Sequence, residues 1–446
     1  MAVSLPNLVN FSFKHKFALA IMTSSVYALV DYEDDYVQPL LLTALRAKLP
    51  TNLLILLSNH KDVPDNARLL QWRQYESIDF DRLMQNSRSD LANSYVIRKA
   101  LIRKHYLSNT ITHWLSKNPE SELKKHVQPS VEFEVDYAEF LDDALLEAYE
   151  LHESWGRNSA LKDDQREWWI LKPGMSERGQ GIRLFSSEEE LTAIFEEWDP
   201  PSDEEDMDDS ANEETSIMHS QKSDITTSQL RHFVAQPYIH PPLLLPVSHA
   251  AANRKFHIRV YVLAVGALKV YIYRTMLALF AGKTYAAPEI ETSNAELDAH
   301  LTNTCRQEDG KRDGAVHAFW ALPTTLDSLP EDIRDSWQQH VWQQICKTTS
   351  LTFEAAARTS SIHFQPLPNA FEIFGLDYLV DASGTAWLLE VNAFPDFAQT
   401  GDELNGIIEN LMGAVVDKAV LPFFGVQGQD HEDDMLEVLN LDLGRR

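Results

Sequence analysis

Three polar residues with oxygen-bearing side chains lie inside two short apolar runs, 374–380 and 386–392. They are Asp377, Glu390 and Asn392. The Asp-Ala-Ser-Gly segment between the runs is typical of a tight turn, so the pattern predicts a β-hairpin. Side chains alternate across a strand, which places Glu390 and Asn392 on one face.

A carboxylate buried among apolar residues is costly without a cation. Hard oxygen ligands on adjacent strands suit Mg²⁺, which completes its shell with nucleotide phosphates. An edge hairpin whose polar residues face water is equally compatible with this pattern.

A second candidate element is a strand–loop–strand segment rich in glycine. Trp168–Pro173 predicts a strand that ends close to Lys172, and Ile182–Phe185 predicts the return strand. The loop Gly174–Gly181 contains Arg178 and three glycines. Such a loop can cover phosphates with backbone N–H groups and a cation. It lacks the Gly-Lys-Ser/Thr of a Walker loop. Taken alone, an ordinary hairpin turn is the simpler explanation.

Three further apolar runs predict strands that carry a row of cations. Phe233–Ile239 leads into a His-Pro-Pro turn, Arg254–Leu263 alternates cationic and apolar residues, and Val270–Arg274 predicts the return strand. With the apolar residues of the second run packed inward, its other face presents Lys255, His257, Arg259 and Tyr261. Charge on a strand is usually solvated, but the β-branched and aromatic content of these runs indicates that both faces are covered.

The order of these motifs resembles that of the tubulin–tyrosine ligase family of ATP-grasp enzymes, across residues 95 to 400. The residues that carry the resemblance are Arg98-Lys99 with Lys104, Trp169-Ile170-Leu171-Lys172-Pro173, Lys255-Phe256 with Ile258-Arg259, Tyr273-Arg274, His300-Leu301-Thr302-Asn303, Phe374-Gly375 with Asp377, and Leu389-Glu390-Val391-Asn392. His-Leu-Thr-Asn followed by the hairpin is hard to obtain by chance. The resemblance implies an α/β (α+β) class and an ATP-grasp fold. In that fold a small N-terminal α/β lobe, a central lobe and a C-terminal lobe hold ATP between sheets.

The resemblance also implies a set of residues that bind the cofactor ATP. They are Lys104, Lys172 and the loop cation Arg178 for the phosphates, Gln236, Tyr238 and Ile239 for adenine, Lys255 and His257 for the ribose, and Thr302 and Asn303 at the phosphate end. Within the adenine linker, the backbone N–H of Ile239 would make the main contact with the base.

For the reaction itself, the resemblance implies a second cofactor, Mg²⁺, held by the three hairpin residues. Arg259 and Arg274 would steady the γ-phosphate and the acceptor carboxylate. Mg²⁺ and the cations would neutralise charge on the transferring phosphoryl group. The acyl phosphate that forms is then attacked by an amine, which gives an amide or isopeptide bond, ADP and phosphate. No covalent enzyme nucleophile is needed.

Three positions depart from the family pattern. Pro237 replaces a lysine that is common in the adenine linker, and proline keeps its carbonyl but has no N–H. His257 replaces an acidic residue near the ribose. Arg178 replaces a loop cation that is often lysine, which changes shape more than charge. None of these changes removes a predicted metal ligand or phosphate lysine, so an active ligase is favoured over a pseudoenzyme.

The chain of 446 residues with 44% hydrophobic content can bury a large core and should hold two or three domains. Its two cysteines, Cys305 and Cys346, do not suggest a disulfide framework, so we expect a cytoplasmic protein. The apolar segment Phe17–Val30 follows a Lys-His-Lys sequence and superficially suggests a signal peptide. It is too short to span a bilayer, and we predict a core strand that opens an α/β domain.

The family resemblance, together with composition and pattern, implies four regions. We expect 1–90 to be the N-terminal α/β lobe, 91–425 the ATP-grasp ligase region, 199–229 an acidic disordered insertion, and 426–446 an acidic C-terminal tail that ends in a short helix. The insertion follows from nine acidic residues and no lysine or arginine between Asp199 and Glu214. Competition of this insertion with an acidic substrate for the basic cleft is the alternative to simple solvation.

Local patterns predict four elements in the first 115 residues. They are a helix near Tyr36–Lys48, a strand at Leu53–Leu57, a helix near Asp79–Gln85 and a helix from about Asp90 to Leu115. The last of these carries the cluster Arg98, Lys99, Arg103, Lys104 and His105. Most such runs are solvated faces. In a chain with few cations, however, a functional role for this cluster is favoured.

The net charge of −28 disfavours a nucleic-acid binder, because phosphate neutralisation needs many cations. The leading hypothesis is a monomeric ligase that adds tyrosine to the C-terminus of detyrosinated α-tubulin, whose acidic tail would need a local positive surface. The alternatives are a ligase that adds glutamate or glycine to another acidic protein, and a non-catalytic ATP-binding scaffold.

Some fungal proteins that resemble this chain are linked to cytoplasmic mRNA granules, or P-bodies, and carry a SurE-like phosphatase half. Nothing in this sequence resembles that half.

Overall fold

The computed structural model describes residues 25–174, 179–198, 231–289, 297–302, 315–397, 404–428 and 434–443. Arg178, Asn303, Cys305 and the acidic insertion 199–229 lie outside these residues, as does the first part of the predicted Phe17–Val30 strand. Within the described ranges, no helix is both long and apolar enough to cross a bilayer.

The N-terminal sheet has four parallel strands in the order β2-β1-β3-β4. They are β1 (Val26–Asp31), β2 (Leu54–Leu57), β3 (Arg68–Arg73) and β4 (Asp90–Ala92). Helix α1 (Val37–Lys48) packs its apolar stripe on this sheet, and α2 (Phe80–Gln85) is capped by the side chain of Asp79. The predicted strand at 53–57 and the two helices near 36–48 and 79–85 are therefore confirmed.

A second, antiparallel sheet has the order β5-β8-β6-β7. Its strands are β5 (Val131–Glu134), β6 (Trp169–Pro173), β7 (Arg183–Phe185) and β8 (His232–Pro237). Helices α5 (Leu141–Ala144), α6 (Tyr149–Asn158) and α7 (Glu188–Trp198) supply the side chains that cover it. Its core is aromatic: Phe195 contacts Phe133, Phe233 and Trp198 at ring-centroid distances of 4.9 to 6.2 Å.

The largest sheet contains the remaining seven strands. They are β9 (Phe256–Val265), β10 (Lys269–Tyr273), β11 (Leu277–Phe280), β12 (Val316–Ala318), β13 (Phe371–Val380), β14 (Ala386–Ala393) and β15 (Met435–Asn440). Strand β9 is central: β13 pairs along one edge, and β11 and β10 share the other. Strands β13 and β14 form the predicted hairpin.

Both faces of β9 are covered, as its composition predicted. One face, with Phe256, Ile258 and Val260, packs in a core that includes α9 (Trp337–Thr359). The opposite face, with Tyr261 and Leu263, packs in a second core together with α10 (Asn405–Val415), the following π-helical turn and α11 (Leu421–Phe423). The short helix α8 (Leu297–His300) leads to Thr302.

The predicted helix from Asp90 to Leu115 is wrong in its first part. Asp90 to Ala92 form β4 beside β3, because the buried Asp90 carboxylate accepts a hydrogen bond from Arg82 Nε at 2.8 Å and the strand completes the parallel sheet. The helical part is split into α3 (Lys99–Ile102) and α4 (Lys104–Lys117), with an extended residue, Arg103, between them.

The predicted short helix in the C-terminal tail is also wrong. The segment 435–440 is strand β15, which pairs antiparallel with β10. An edge strand leaves backbone N–H and C=O groups unpaired, and β15 supplies partners for those of β10. Its first side chain, Met435, is buried in the second core.

Candidate active site

A cleft of about 560 Å³ lies where the three sheets meet. Gln74 and Tyr75, which follow β3, form one wall, Lys172 and Gln236 from the second sheet form another, and the largest sheet forms the floor. The predicted site residues that line it are Lys104, Lys172, Gln236, Tyr238, Ile239, Lys255, His257, Arg259, Thr302, Asp377, Glu390 and Asn392. The fold thus brings together residues that are almost 300 positions apart in the sequence.

The hairpin places its three oxygen-bearing residues side by side. Asp377 pairs with Glu390 in the β13–β14 register, and a bulge follows Asp377. Asn392 Nδ2 donates to Asp377 Oδ2 at 3.2 Å and to Glu390 Oε1 at 3.1 Å. Asp377 is only 5% exposed, whereas Glu390 and Asn392 are partly exposed on the edge strand β14, and all three side chains line the cleft.

The chemistry of this group fits Mg²⁺. Two carboxylates and one amide supply hard oxygen donors. Mg²⁺ is usually held by one or two carboxylates, while substrate phosphates and waters complete its coordination shell. No group of three or more histidine, cysteine, aspartate or glutamate residues in the described ranges is arranged to bind a metal by itself. The two carboxylates and Asn392 would therefore have to share the ion with phosphate oxygens.

Two cations hold the carboxylates in place. Arg259 donates to Asp377 from Nε at 2.6 Å and from Nη2 at 3.1 Å. Lys104 Nζ lies 3.2 Å from Glu390 Oε2. Burial alone would raise the pKa of Glu390, but Lys104, the Asn392 amide and Lys172 outweigh it and hold this pKa far below its usual range. Glu390 is therefore ionised, as a metal ligand must be.

Two buried lysines face the same cleft. Lys172 is 8% exposed and donates to Gln236 Oε1 at 2.7 Å, and Gln236 in turn donates to Ser130 Oγ at 2.8 Å. Burial lowers the pKa of Lys172 to about 8, although Glu390 opposes the shift. Burial, helped by Lys172, lowers the pKa of Lys255 to about 7. Such lysines gain a favourable partner when a polyanion enters, which fits nucleotide phosphates.

The predicted adenine linker follows directly from β8. The Tyr238 N–H donates to the Trp168 carbonyl at 2.7 Å, which fixes the linker against the start of β6. Lys255 Nζ donates to the Tyr238 hydroxyl at 2.9 Å, and that hydroxyl lies 2.9 Å from His300 Nδ1. Among the described residues, the N–H of Ile239 has no hydrogen-bond partner. The backbone group expected to contact adenine is therefore available.

His257 lies between residues that are predicted to bind the nucleotide and those predicted to hold the metal. Its Nδ1 is hydrogen-bonded to Thr302 Oγ1 at 2.5 Å, and its Nε2 lies 3.5 Å from Asp377 Oδ1. Burial lowers the pKa of His257, although Asp377 opposes this shift. The contact with Thr302 connects the 297–302 segment to β9.

Arg274 is the described site residue that the fold does not bring to the cleft. It follows β10 on the face opposite to the cleft, and its guanidinium lies 4.7 Å from the Trp320 ring and 5.4 Å from the Trp342 ring. On β11 the cleft position is held by Leu279, which pairs with His257. Tyr261 is likewise buried against Phe397 instead of lining the cleft.

Several residues at the other end of the cleft have no individual site role predicted from the sequence. Arg98 Nε lies 2.7 Å from the buried carboxylate of Glu372, and its guanidinium is 3.9 Å from the Tyr75 ring. Burial raises the pKa of Glu372 to about 7, although Arg98 opposes this. Phe394 also lines this end, with a positive φ of 47°. The basic run at 98–105 was a signal for Arg98, whereas nothing in the sequence pointed to Glu372 or Phe394.

Residues 82–427 match the model of the tubulin-tyrosine ligase family. A Schizosaccharomyces pombe protein named probable tubulin–tyrosine ligase is 44% identical over 415 residues, which cover 91% of this chain and 94% of that protein. The Saccharomyces cerevisiae probable tubulin–tyrosine ligase PBY1 is 42% identical over 376 residues, which cover 82% of this chain but only 48% of that protein.

A solved structure provides an independent comparison. The crystal structure of the C-terminal domain of K. lactis Pby1, described as an ATP-grasp enzyme that interacts with the mRNA decapping enzyme Dcp2, matches with a TM-score of 0.67 and 36% identity. The match covers 94% of this chain and 99% of that one. These similarities and the mixed α/β architecture support an ATP-dependent ligase with the ATP-grasp fold, and the chain belongs to the tubulin–tyrosine ligase family.

Proposed function

We propose that the chain is an ATP-dependent carboxylate–amine ligase that joins an amino acid to a protein carboxylate. The observation that carries the proposal is the meeting of Lys104 and Lys172 with the ionised Glu390 at the floor of the cleft. The linker that ends at Ile239 and the buried Lys255 line the same cleft. A polyanion with a planar base matches this distribution of cations and backbone groups.

Each residue has a role that follows from its position. Lys104 and Lys172 would bind the phosphates, and Asp377, Glu390 and Asn392 would hold Mg²⁺, which when bound neutralises charge on the transferring phosphoryl group. Arg259 would act as a positioning residue, because it fixes both oxygens of Asp377. Lys255, Gln236 and Tyr238 would orient the nucleoside.

The proposed reaction has two steps. An oxygen of the acceptor carboxylate attacks the γ-phosphorus, the bond to the β–γ bridging oxygen breaks, and ADP leaves. The amine of the donor then attacks the acyl carbon, inorganic phosphate leaves, and the nitrogen loses a proton. The cleft favours the first step because its fixed cations lie where negative charge is redistributed.

For the substrates, we propose tyrosine as the donor and the C-terminus of detyrosinated α-tubulin as the acceptor. Support comes from the two fungal relatives named probable tubulin–tyrosine ligases. Relatives with lower identity are named tubulin polyglutamylases and a glycylase, so glutamate and glycine are the donors to compare. A cytoplasmic location is part of this proposal.

A second candidate is a non-catalytic ATP-binding scaffold in mRNA decapping. It is favoured by one observation, the described interaction of the K. lactis neighbour with Dcp2. In that case Mg·ATP would bind to the cleft without turnover, and the bound nucleotide would serve to stabilise the fold.

The experiment that tests the proposal measures ADP release with Mg·ATP, detyrosinated tubulin and each of tyrosine, glutamate and glycine. Glu390→Gln keeps the side-chain volume but removes a charge from the predicted metal site, so we expect release to fall by about 100-fold or more. Glu122→Gln is the matched control, because Glu122 forms only an exposed ion pair with Lys125 and its loss should leave the rate unchanged.

Three outcomes separate the candidates. Release with tyrosine alone, lost in Glu390→Gln, would support tubulin tyrosination. Release with glutamate or glycine would keep the ligase and change the donor. Binding of Mg·ATP with no release for any donor would favour the scaffold or another acceptor, and full activity of Glu390→Gln would remove this residue from the metal site.

A further inference from the structure

Among the described residues, three arginines line the cleft, and they differ in what they contact. Arg259 clamps Asp377, and Arg98 binds the buried Glu372. Arg103 makes no hydrogen bond or ion pair through its side chain to any described residue, although it is partly buried. In a chain with 67 acidic and 39 basic residues, a cleft guanidinium without an acidic partner is unexpected.

The backbone of Arg103 is firmly held while its side chain is not. The residue has an extended conformation (φ −105°, ψ 122°) and separates α3 from α4. Its N–H donates to the Lys99 carbonyl at 3.1 Å, and its carbonyl accepts from the Leu107 N–H at 2.8 Å. The next residue, Lys104, contacts Glu390 in the proposed metal site. The fold therefore fixes the backbone of Arg103 next to Lys104, and the Arg103 side chain lines the same cleft.

The proposed reaction needs a cation for the acceptor carboxylate, and the other candidates are already engaged. Arg274 stacks on two tryptophans on the opposite face of the sheet. Leu279 is the β11 residue that lines the cleft, and it offers no charge. The phosphates have Lys104 and the deeply buried Lys172.

A guanidinium suits a carboxylate better than an ammonium does. It is planar and donates two parallel hydrogen bonds to both carboxylate oxygens. The protein's net charge of −28 repels an acidic acceptor at long range, so a local cation is needed at the point of entry. Since Arg103 is partly exposed, an incoming chain can reach it from solvent.

We propose that Arg103 is the residue that binds the acceptor carboxylate and holds it for phosphorylation. This inference rests on the proposed ligase function and assigns its acceptor subsite. It takes the place of Arg274, which the family resemblance paired with Arg259 for the γ-phosphate and the acceptor carboxylate. The proposal requires an acceptor chain with a free carboxylate, either at an accessible end or on a side chain. This carboxylate would bind as a planar anion to one guanidinium.

The test uses a binding measurement that does not depend on turnover. The probe is a fluorescent glutamate-rich peptide with a free C-terminal carboxylate, titrated into the full chain in the presence of Mg²⁺ and a non-hydrolysable ATP analogue. A peptide with an amidated C-terminus and γ-methyl-ester glutamates is the matched ligand. Arg103→Gln should weaken binding of the free acid about tenfold or more, with little effect on the blocked peptide.

Three further measurements make the test specific. Arg103→Lys should recover part of the affinity, because it restores the charge but not the bidentate geometry. Arg88→Gln removes the same charge from an exposed position outside the cleft and should leave peptide affinity unchanged. The affinity for the ATP analogue alone should change less than about twofold in Arg103→Gln, because Arg103 is not assigned to the phosphates.

Several results would overturn the inference. They are equal binding of acid and blocked peptide by the wild-type chain, unchanged acid-peptide affinity in Arg103→Gln, and a tenfold loss of nucleotide affinity in that variant. A failure of the ligase proposal would give a different result. No ADP would be released with any donor, whereas the Arg103-dependent preference for the free-acid peptide would persist. Conversely, the Arg103→Gln variant could turn over with the same KM for the acceptor as the wild type. That result would support the ligase function and reject Arg103 as the acceptor-binding residue.

Discussion

Two lysines in the cleft are poised to change protonation when an anion binds. Lys172 and Lys255 are 8% and 6% exposed, and burial lowers their pKa values to about 8 and about 7. An unfolded chain holds lysine charged up to about pH 10.4. The ligand-free fold thus keeps both side chains partly neutral between these limits, whereas bound phosphates favour their charged forms.

We therefore expect Mg·ATP binding to take up protons at pH 8 and to weaken as the pH rises above 8. Calorimetry in two buffers of different ionisation enthalpy at the same pH measures the number of protons. Lys255→Met should reduce the uptake, while Lys269→Met, at an exposed position on β10, should not. Proton release, or no change between buffers, would contradict the assignment of these lysines to the nucleotide.

Sequence pattern was a good guide to the position of some predicted site residues and a poor guide to that of others. The proximity of Asp377, Glu390 and Asn392 could be predicted because a hairpin brings neighbours in sequence together. Arg274 could not be placed, because its face depends on the pairing of Ile272 with Val262 across β10 and β9. Arg103 was visible only as part of a basic run, since its lack of a partner depends on the three-dimensional environment.

At the level of elements, strands and helices with local signals were predicted and those that depend on distant partners were not. The α1 helix and the β13–β14 hairpin have their own apolar periodicity and turn chemistry. Strand β4 forms because β3 offers a parallel partner. Strand β15 forms because β10 has an open edge, which no pattern near residue 435 reveals.

Strand β15 allows a matched pair of substitutions. Met435 is 6% exposed and belongs to the second core, whereas its neighbour Leu436 is 47% exposed. Met435→Ala should lower the free energy of unfolding by about 2 to 5 kcal/mol through lost burial and a cavity. Leu436→Ala should change it by less than about 0.5 kcal/mol. Chemical denaturation measures both, and equal effects would mean that β15 is not docked as described.

At the scale of the whole molecule, the cleft lies between the separate sheets. Lys172 and Gln236 belong to the second sheet, whereas Lys255 and Glu390 belong to or adjoin the largest one. The direct link between the walls includes the contact of Lys255 with Tyr238 at 2.9 Å. A ligand that contacts both walls adds to this link, so its binding free energy also stabilises the arrangement of the sheets.

Mg·ATP should therefore stabilise the whole molecule, and this stabilisation should depend on Lys172. At a free ligand concentration of 100 times Kd, binding adds about 2.7 kcal/mol to the free energy of unfolding and raises the Tm. Lys172→Ala would remove the proposed phosphate contact from the second sheet, so the increase in Tm should shrink at the same ligand concentration. Lys269→Ala should retain it, because Lys269 is exposed on β10. Differential scanning calorimetry with and without ligand measures the shift. An equal rise in Tm for Lys172→Ala and the wild type would mean that the phosphates bind without Lys172, and the cleft would then need a different orientation of the nucleotide.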